Sequence, residues 1–207
     1  KAFRDAFSVY RGHLHHSYQT LLDRFELRDA AVKVVGVGSV GTACFVLLFT
    51  AGEGDPLFLQ VKEARPSVLE PYVGKSEHRH HGQRVVVGQR LMQSASDIFL
   101  GWTHGRAGRQ FYVRQLRDMK MSAQIEEGAT AAQTLLYAEL CGRTLAHAHA
   151  KSGDAALISG YLGKSDTFDQ AVGDFALAYA EQNAKDHAAL VAAVKAGRIK
   201  ALVEEET

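Results

Sequence analysis

With 24 basic and 23 acidic side chains in 207 residues, the net charge of +1 leaves no electrostatic excess for a nucleic-acid footprint. An apolar share of 46% against 23% charged is that of an ordinary globular chain and excludes a disordered or fibrous one. No stretch reaches ~18 uninterrupted apolar residues and no basic-then-apolar leader opens the chain, so no membrane partner and a cytoplasmic location are expected.

In chain order, Phe3, Phe7, Tyr10, Leu14, Tyr18, Leu21, Leu22 and Phe25 recur near the helical period and predict one amphipathic helix over residues 3–25. Residues 33–63, KVVGVGSVGTACFVLLFTAGEGDPLFLQVKE, read as strand, glycine loop, strand, turn and strand. Pro66 and Pro71 mark residues 65–76 as a loop. Residues 77–95 predict a helix burying Val85, Val86, Leu91 and Met92. Residues 98–102 and 110–116 read as two further strands around the turn 104–108. A helix over 131–150 is expected to turn Leu135, Leu136, Ala138, Leu140, Cys141, Leu145 and Ala148 inward, and 155–206 to form two or three more helices. Cys44 and Cys141, in a strand and a helix, are expected to be buried, reduced thiols. The expected class is α+β: a mostly antiparallel five-stranded sheet with one helix, followed by a helical lobe. It divides into an N-terminal helix (1–30), a small lobe with the glycine loop (31–120) and a helical lobe (121–207). Beginning at Lys1 in mid-pattern, the chain reads as part of a longer one.

The run Gly36, Gly38, Ser39, Gly41 has the form G-x-G-x-x-G, in which backbone N–H groups can approach phosphate oxygens without Cβ interference. In a dinucleotide-binding unit such a loop opens a helix, and an acidic residue ends the second strand about 20 residues on. Here the continuation Thr42–Phe49 is β-branched and aromatic, and Asp55 sits in a turn, so the NAD-dependent reading trails. A glycine loop between strands, with Lys62 on the third, is the order of a protein-kinase small lobe, where that lysine pairs with nucleotide phosphates. Alternation places Phe58, Gln60 and Lys62 on one face of the strand and Leu57, Leu59 and Val61 on the other. A kinase lysine is held by a helix glutamate, yet residues 77–95 offer only Glu77 at their start, which serves as a favourable helix N-terminal charge. Backbone groups around Gln115 would form the hinge facing an adenine edge. The H-x-H-H groups at 13–16 and 78–81 place side chains that diverge on a helix, so no metal site is expected. Asp154 reads as a helix cap and Asp174 as part of a helix, each in preference to a catalytic role.

The blocks VVGVGSVGT (34–42), LFLQVKEARPSVLEPY (57–72), GQRLMQSASDIFLGW (88–102), FYVRQLRDMK (111–120), AHAHAKSGD (146–154) and GYLGKSDTFD (160–169) resemble a bacterial family catalogued as domain of unknown function 2252. The resemblance implies a place in the protein-kinase-like superfamily. It also implies that members are longer, with G-D-x-H-x-x-N-[FW]-G and D-F-D-type segments ahead of the glycine loop. Neither segment occurs here, so the chain resembles the C-terminal half of such a protein.

The leading expectation is therefore part of an ATP-binding small-molecule phosphotransferase, holding nucleotide through Gly36–Gly41, Lys62 and Gln115. The carboxylates that position Mg²⁺ and the nucleophile would lie outside this chain, which alone would not turn over. Its partners would be the nucleotide and either that N-terminal half or a second copy, whose absence would expose an apolar face on residues 3–25. The alternative is a non-catalytic binding or scaffold domain whose glycine loop is only a tight hairpin.

Overall fold

The computed structural model describes residues 2–33, 41–116 and 130–200. The chain divides into two compact units, Lys1–Gly153 and Asp154–Thr207.

In the first unit the expected helix over 3–25 is two helices, α1 (Ala2–Gly12) and α2 (His16–Leu22). Gly12 is a poor helix former, and His15 takes extended backbone at φ −62°, ψ 147°. The break is fastened by His13, whose ring stacks on Trp102 at 3.9 Å while its Nδ1 lies 2.9 Å from the Trp102 carbonyl oxygen. Leu14, inside the break, is thereby seated in the core.

Strand β1 spans Glu26–Val32, earlier than the β-rich run at 33–35 suggested, so it begins inside the segment expected to be helix alone. It pairs with β2 (Cys44–Ala51), and a register shift between Leu27 and Asp29 marks a bulge. Gly52 and Gly54, at φ 51° and 116°, reverse the chain into β3 (Asp55–Ala64), and Pro56 sits at the exposed start of that strand. The loop at 65–76 contains one helical turn, α3 (Glu70–Val73). Helix α4 (His81–Met92) then starts four residues later than the pattern suggested, because His80 stays extended and its Nδ1 accepts the Gln83 N–H at 3.2 Å. Gly82 and Val86 are its buried residues, Val85 and Leu91 are half-buried, and Met92 is exposed, contrary to expectation. Strand β4 (Gly101–His104) begins after Ile98, since 97–100 form a turn in which Asp97 accepts the Phe99 N–H. A short 3₁₀ turn at Arg106–Gly108 leads into β5 (Gln110–Gln115).

The sheet is antiparallel and five-stranded in the order β1-β2-β3-β5-β4, so β3 is central and β1 and β4 are the edges. The α+β class and the sheet are as the sequence led one to expect. Alternation on β3 holds: Leu57 and Leu59 are buried with Phe49, Leu47 and Val113 beneath Tyr10, Leu14 and Leu22. Helix α4 crosses β5 and β4 on the other face, where the Gln110 side chain accepts the His81 N–H at 2.7 Å. The approach is close, for a Cβ on Gly82 would stand 2.3 Å from the Phe111 carbonyl oxygen.

Helix α5 (Ala131–Ser152) opens on a capping box between Thr130 and Gln133. Its apolar stripe is not inward as expected. Ala148 is buried, but Leu135, Leu136, Leu140 and Leu145 are exposed and so is Cys141. Periodicity set which residues share a face, and no described segment of the first unit covers that face.

The second unit is helical: α6 (Ala155–Leu162) and α7 (Thr167–Lys195). Asp154 caps α6, its Oδ1 accepting the N–H groups of Ala156 and Leu157, and Gly163 at φ 66° ends it. Tyr161 meets Phe168 edge-on at 6.4 Å across the turn, and Asp174 lies within α7.

Candidate functional site

The glycine loop joins β1 to β2. Gly36, Gly38 and Ser39 lie outside the described residues, so the site is built from its two stems and from β3. On one stem the Lys33 N–H donates to the Cys44 carbonyl at 2.9 Å. On the other, Glu63 brackets Ala43: its N–H donates to the Ala43 carbonyl at 2.9 Å, and its carboxylate accepts the Ala43 N–H at 2.9 Å. Arg65 adds to this clamp, its Nε 3.3 Å from the Glu63 carboxylate and its Nη2 donating to the Gly41 carbonyl. The Ala43 N–H and the Arg65 guanidinium hold the Glu63 carboxyl below the ordinary carboxylate range. Gly41, at φ +76°, has open space where a Cβ would be.

Lys62 stands one residue before this clamp, paired with Cys44 on β2 and Tyr112 on β5. It shares its face with Gln60 and Arg114. Gln60 is 2% exposed and its Oε1 accepts the Arg114 Nε at 3.1 Å. Burial raises the Tyr112 hydroxyl above its ordinary pKa, with Arg114 opposing and Cys44 adding. Lys62 is half-buried, and no carboxylate or hydrogen-bond acceptor among the described residues engages its ammonium. Glu77 is exposed and precedes α4, whose sequence HGQRVVVGQRLM has no acidic residue.

Gly41 and Lys62 thus come to the same end of the sheet, and Gln115 does not join them. It pairs with Leu59, three residues down β3 from Lys62, or about 10 Å at ordinary strand rise. Its N–H is taken by Asp97 Oδ2 at 2.5 Å, and the Leu116 N–H by the Phe58 carbonyl at 2.8 Å. Both of these backbone donors are therefore occupied.

His80 and His104 approach to 5.3 Å between ring centroids, with His13 and His81 near enough to act electrostatically. Burial, then the neighbouring imidazoles, lower the His80 pKa, opposed by the Thr103 carbonyl. Among the described residues no three His, Cys, Asp or Glu side chains converge as a metal site.

Sequence reasoning missed a cavity of about 400 Å³ on the opposite, α1-covered face of the sheet. Phe7 and Tyr10 of α1 and Phe45, Val61 and Phe111 of three strands contribute to its wall. These residues span positions 7 to 111, and only the strand pairing shows that they meet.

A family model described as "Uncharacterized protein conserved in bacteria (DUF2252)" matches residues 1–193. No curated protein and no solved structure matches. Among the described residues no helix is long and apolar enough to cross a membrane.

Proposed function

This chain belongs to the bacterial DUF2252 family, and we propose that its sheet unit is a protein-kinase-like small lobe that binds ATP between the glycine loop and Lys62. The observation that carries this reading is the half-buried Lys62, its ammonium unengaged by any described group, on the central strand beside the clamped loop stem. The element order also supports it: strand, glycine loop, strand, strand with lysine, helix, two strands. In this reading loop N–H groups cradle the phosphates and Lys62 neutralises them. In this reading the Mg²⁺ ligands and the catalytic base are supplied by residues outside this chain, as the resemblance to the C-terminal half of a longer phosphotransferase implies. The chain binds nucleotide without turnover, and the cytoplasm is the compartment such a role requires.

The test is thermal unfolding with Mg²⁺-ATP, with Lys62→Ala as the control and NAD as comparison. Ligand at ~100 times its dissociation constant adds about 2.7 kcal/mol of stability. ATP is expected to raise the unfolding midpoint, Lys62→Ala to abolish the rise, and NAD to have no effect. A rise that survives Lys62→Ala, or none with the native chain, overturns the reading.

A second reading is favoured by one observation, the absence of any carboxylate on α4 to hold Lys62. It makes the unit a non-catalytic binding or scaffold domain without nucleotide, and predicts that Lys62→Ala changes no ligand interaction.

A further inference from the structure

The cavity between α1 and the sheet lies on the face away from Lys62, and the nucleotide reading leaves it unused. Its volume of about 400 Å³ falls within the roughly 300–1,000 Å³ of small-molecule sites. We propose that it binds a single-chain acyl carboxylate, with the tail between α1 and the sheet and the head group at Arg106 and Arg109.

The interior selects the tail. Its two hydroxyls are already spent: Tyr10 donates to the Phe99 carbonyl at 2.7 Å and Thr103 to the Ala6 carbonyl at 2.5 Å. Apart from the exposed His104 at its margin, what remains, as at Phe7, Phe45, Leu47 and Val61, is hydrocarbon, so a polar ligand would leave its own groups unpaired inside. An apolar chain loses nothing by entering.

The mouth selects the head. Arg106 and Arg109 line it, and no acidic side chain does. Neither guanidinium has an ion-pair partner within 4.0 Å among the described residues. Arg109 feels the Glu63 carboxylate, but that group is committed to the Ala43 N–H and to Arg65, and Arg109 lies 5.9 Å from the Phe111 ring centroid at the cavity wall. Between the arginines Ala107 takes left-handed backbone at φ 56°, ψ 34°, which no other non-glycine residue among those described adopts. Such strain persists where the surroundings impose it, here a turn closed by the Gly105 N–H donating to the Arg109 carbonyl at 2.7 Å. The turn holds the backbone of both exposed, cavity-lining arginines together, so that a carboxylate there can receive a charge-assisted hydrogen bond from each.

The experiment is calorimetric titration of the full chain with hexanoate, octanoate and decanoate below micellar concentration, with decanol and decyltrimethylammonium as comparisons. Affinity is expected to rise roughly fourfold per added methylene. Decanoate should bind at least about tenfold tighter than decanol, and decyltrimethylammonium more weakly than either. The double variant Arg106→Glu/Arg109→Glu, whose sites are exposed and outside the core, should lose that preference and retain the chain-length dependence. Ala30→Trp, on the exposed edge strand at the cavity, should block all three acids. Equal binding of the cationic amphiphile, affinity independent of chain length, or a charge reversal without effect overturns the proposal. Phosphatidylglycerol vesicles form the last arm: sedimentation with vesicles but no binding of free decanoate would assign the cavity to a bilayer lipid and overturn the free-acid proposal.

Discussion

The two faces of the sheet are made by the same strands and do opposite things. On the α1 face, Leu57, Leu59, Phe49 and Val113 are buried under two helices, and the residual space is an apolar cavity. On the Lys62 face β3 buries Ala64 and a glutamine bonded to an arginine, and half-buried Lys62 stands between them beside the loop stem. Stability is concentrated on the first face and hydrogen-bonding capacity on the second. A strand whose side chains alternate at period two lets a single segment supply both without compromise.

That comparison is sharpened most strongly by Leu59→Ala. Leu59 is 0% exposed at the centre of the sheet, so truncation should cost about 2–5 kcal/mol, read from the denaturant midpoint. A loss below that range would mean that the α1 face does not carry the fold. Next is Tyr10→Phe, which leaves the Phe99 carbonyl without its hydroxyl donor in a buried place and should cost about 1–3 kcal/mol.

A smaller effect is expected on the α4 side from acid. The His80 pKa is lowered in the folded protein, so between that value and the unfolded value near 6.5 the unfolded chain binds more protons. Stability is therefore full above about pH 6.5 and declines as pH falls through the window below it. Replacing His80 with Asn, which keeps a side-chain acceptor for the Gln83 N–H, should flatten this part of a pH–midpoint curve. An unchanged slope would remove His80 as its cause. The smallest effect belongs to Lys62→Ala without ligand, within about 0.5 kcal/mol of the native chain, since no described group loses a partner. A larger cost would show that Lys62 has a structural task and would erase the contrast between the faces.

How much of this was legible follows from the range of the interactions. The period-two pattern of residues 57–62 was enough to assign both faces of β3, because alternation is local. The cap at Asp154 was legible for the same reason. The break between α1 and α2 was not, because it is held by His13 against Trp102, 89 residues away. The stripe on α5 was read as inward because periodicity reports which residues share a face and says nothing about what lies against it. The occupied N–H of Gln115 depends on Asp97, whose turn resembled a strand in the sequence. The cavity had no local signal, being the gap left where a helix from the start of the chain meets strands ending past residue 110.

The strand order has one more consequence, at its open margin. All seven residues of β1 are exposed, and among the described residues no strand pairs with its outer edge, where backbone donors and acceptors could meet another extended chain. The bulge at Leu27–Asp29 breaks the regular spacing that such a visitor would need. Glu26, Arg28 and Asp29 place charge along the same margin, with Arg28 held 3.0 Å from Glu26 and 2.7 Å from the Thr50 hydroxyl. A newcomer would have to part those groups and straighten the kink before its first hydrogen bond. The sheet is thereby guarded against fibrillar growth at β1 by three side chains and one irregular residue.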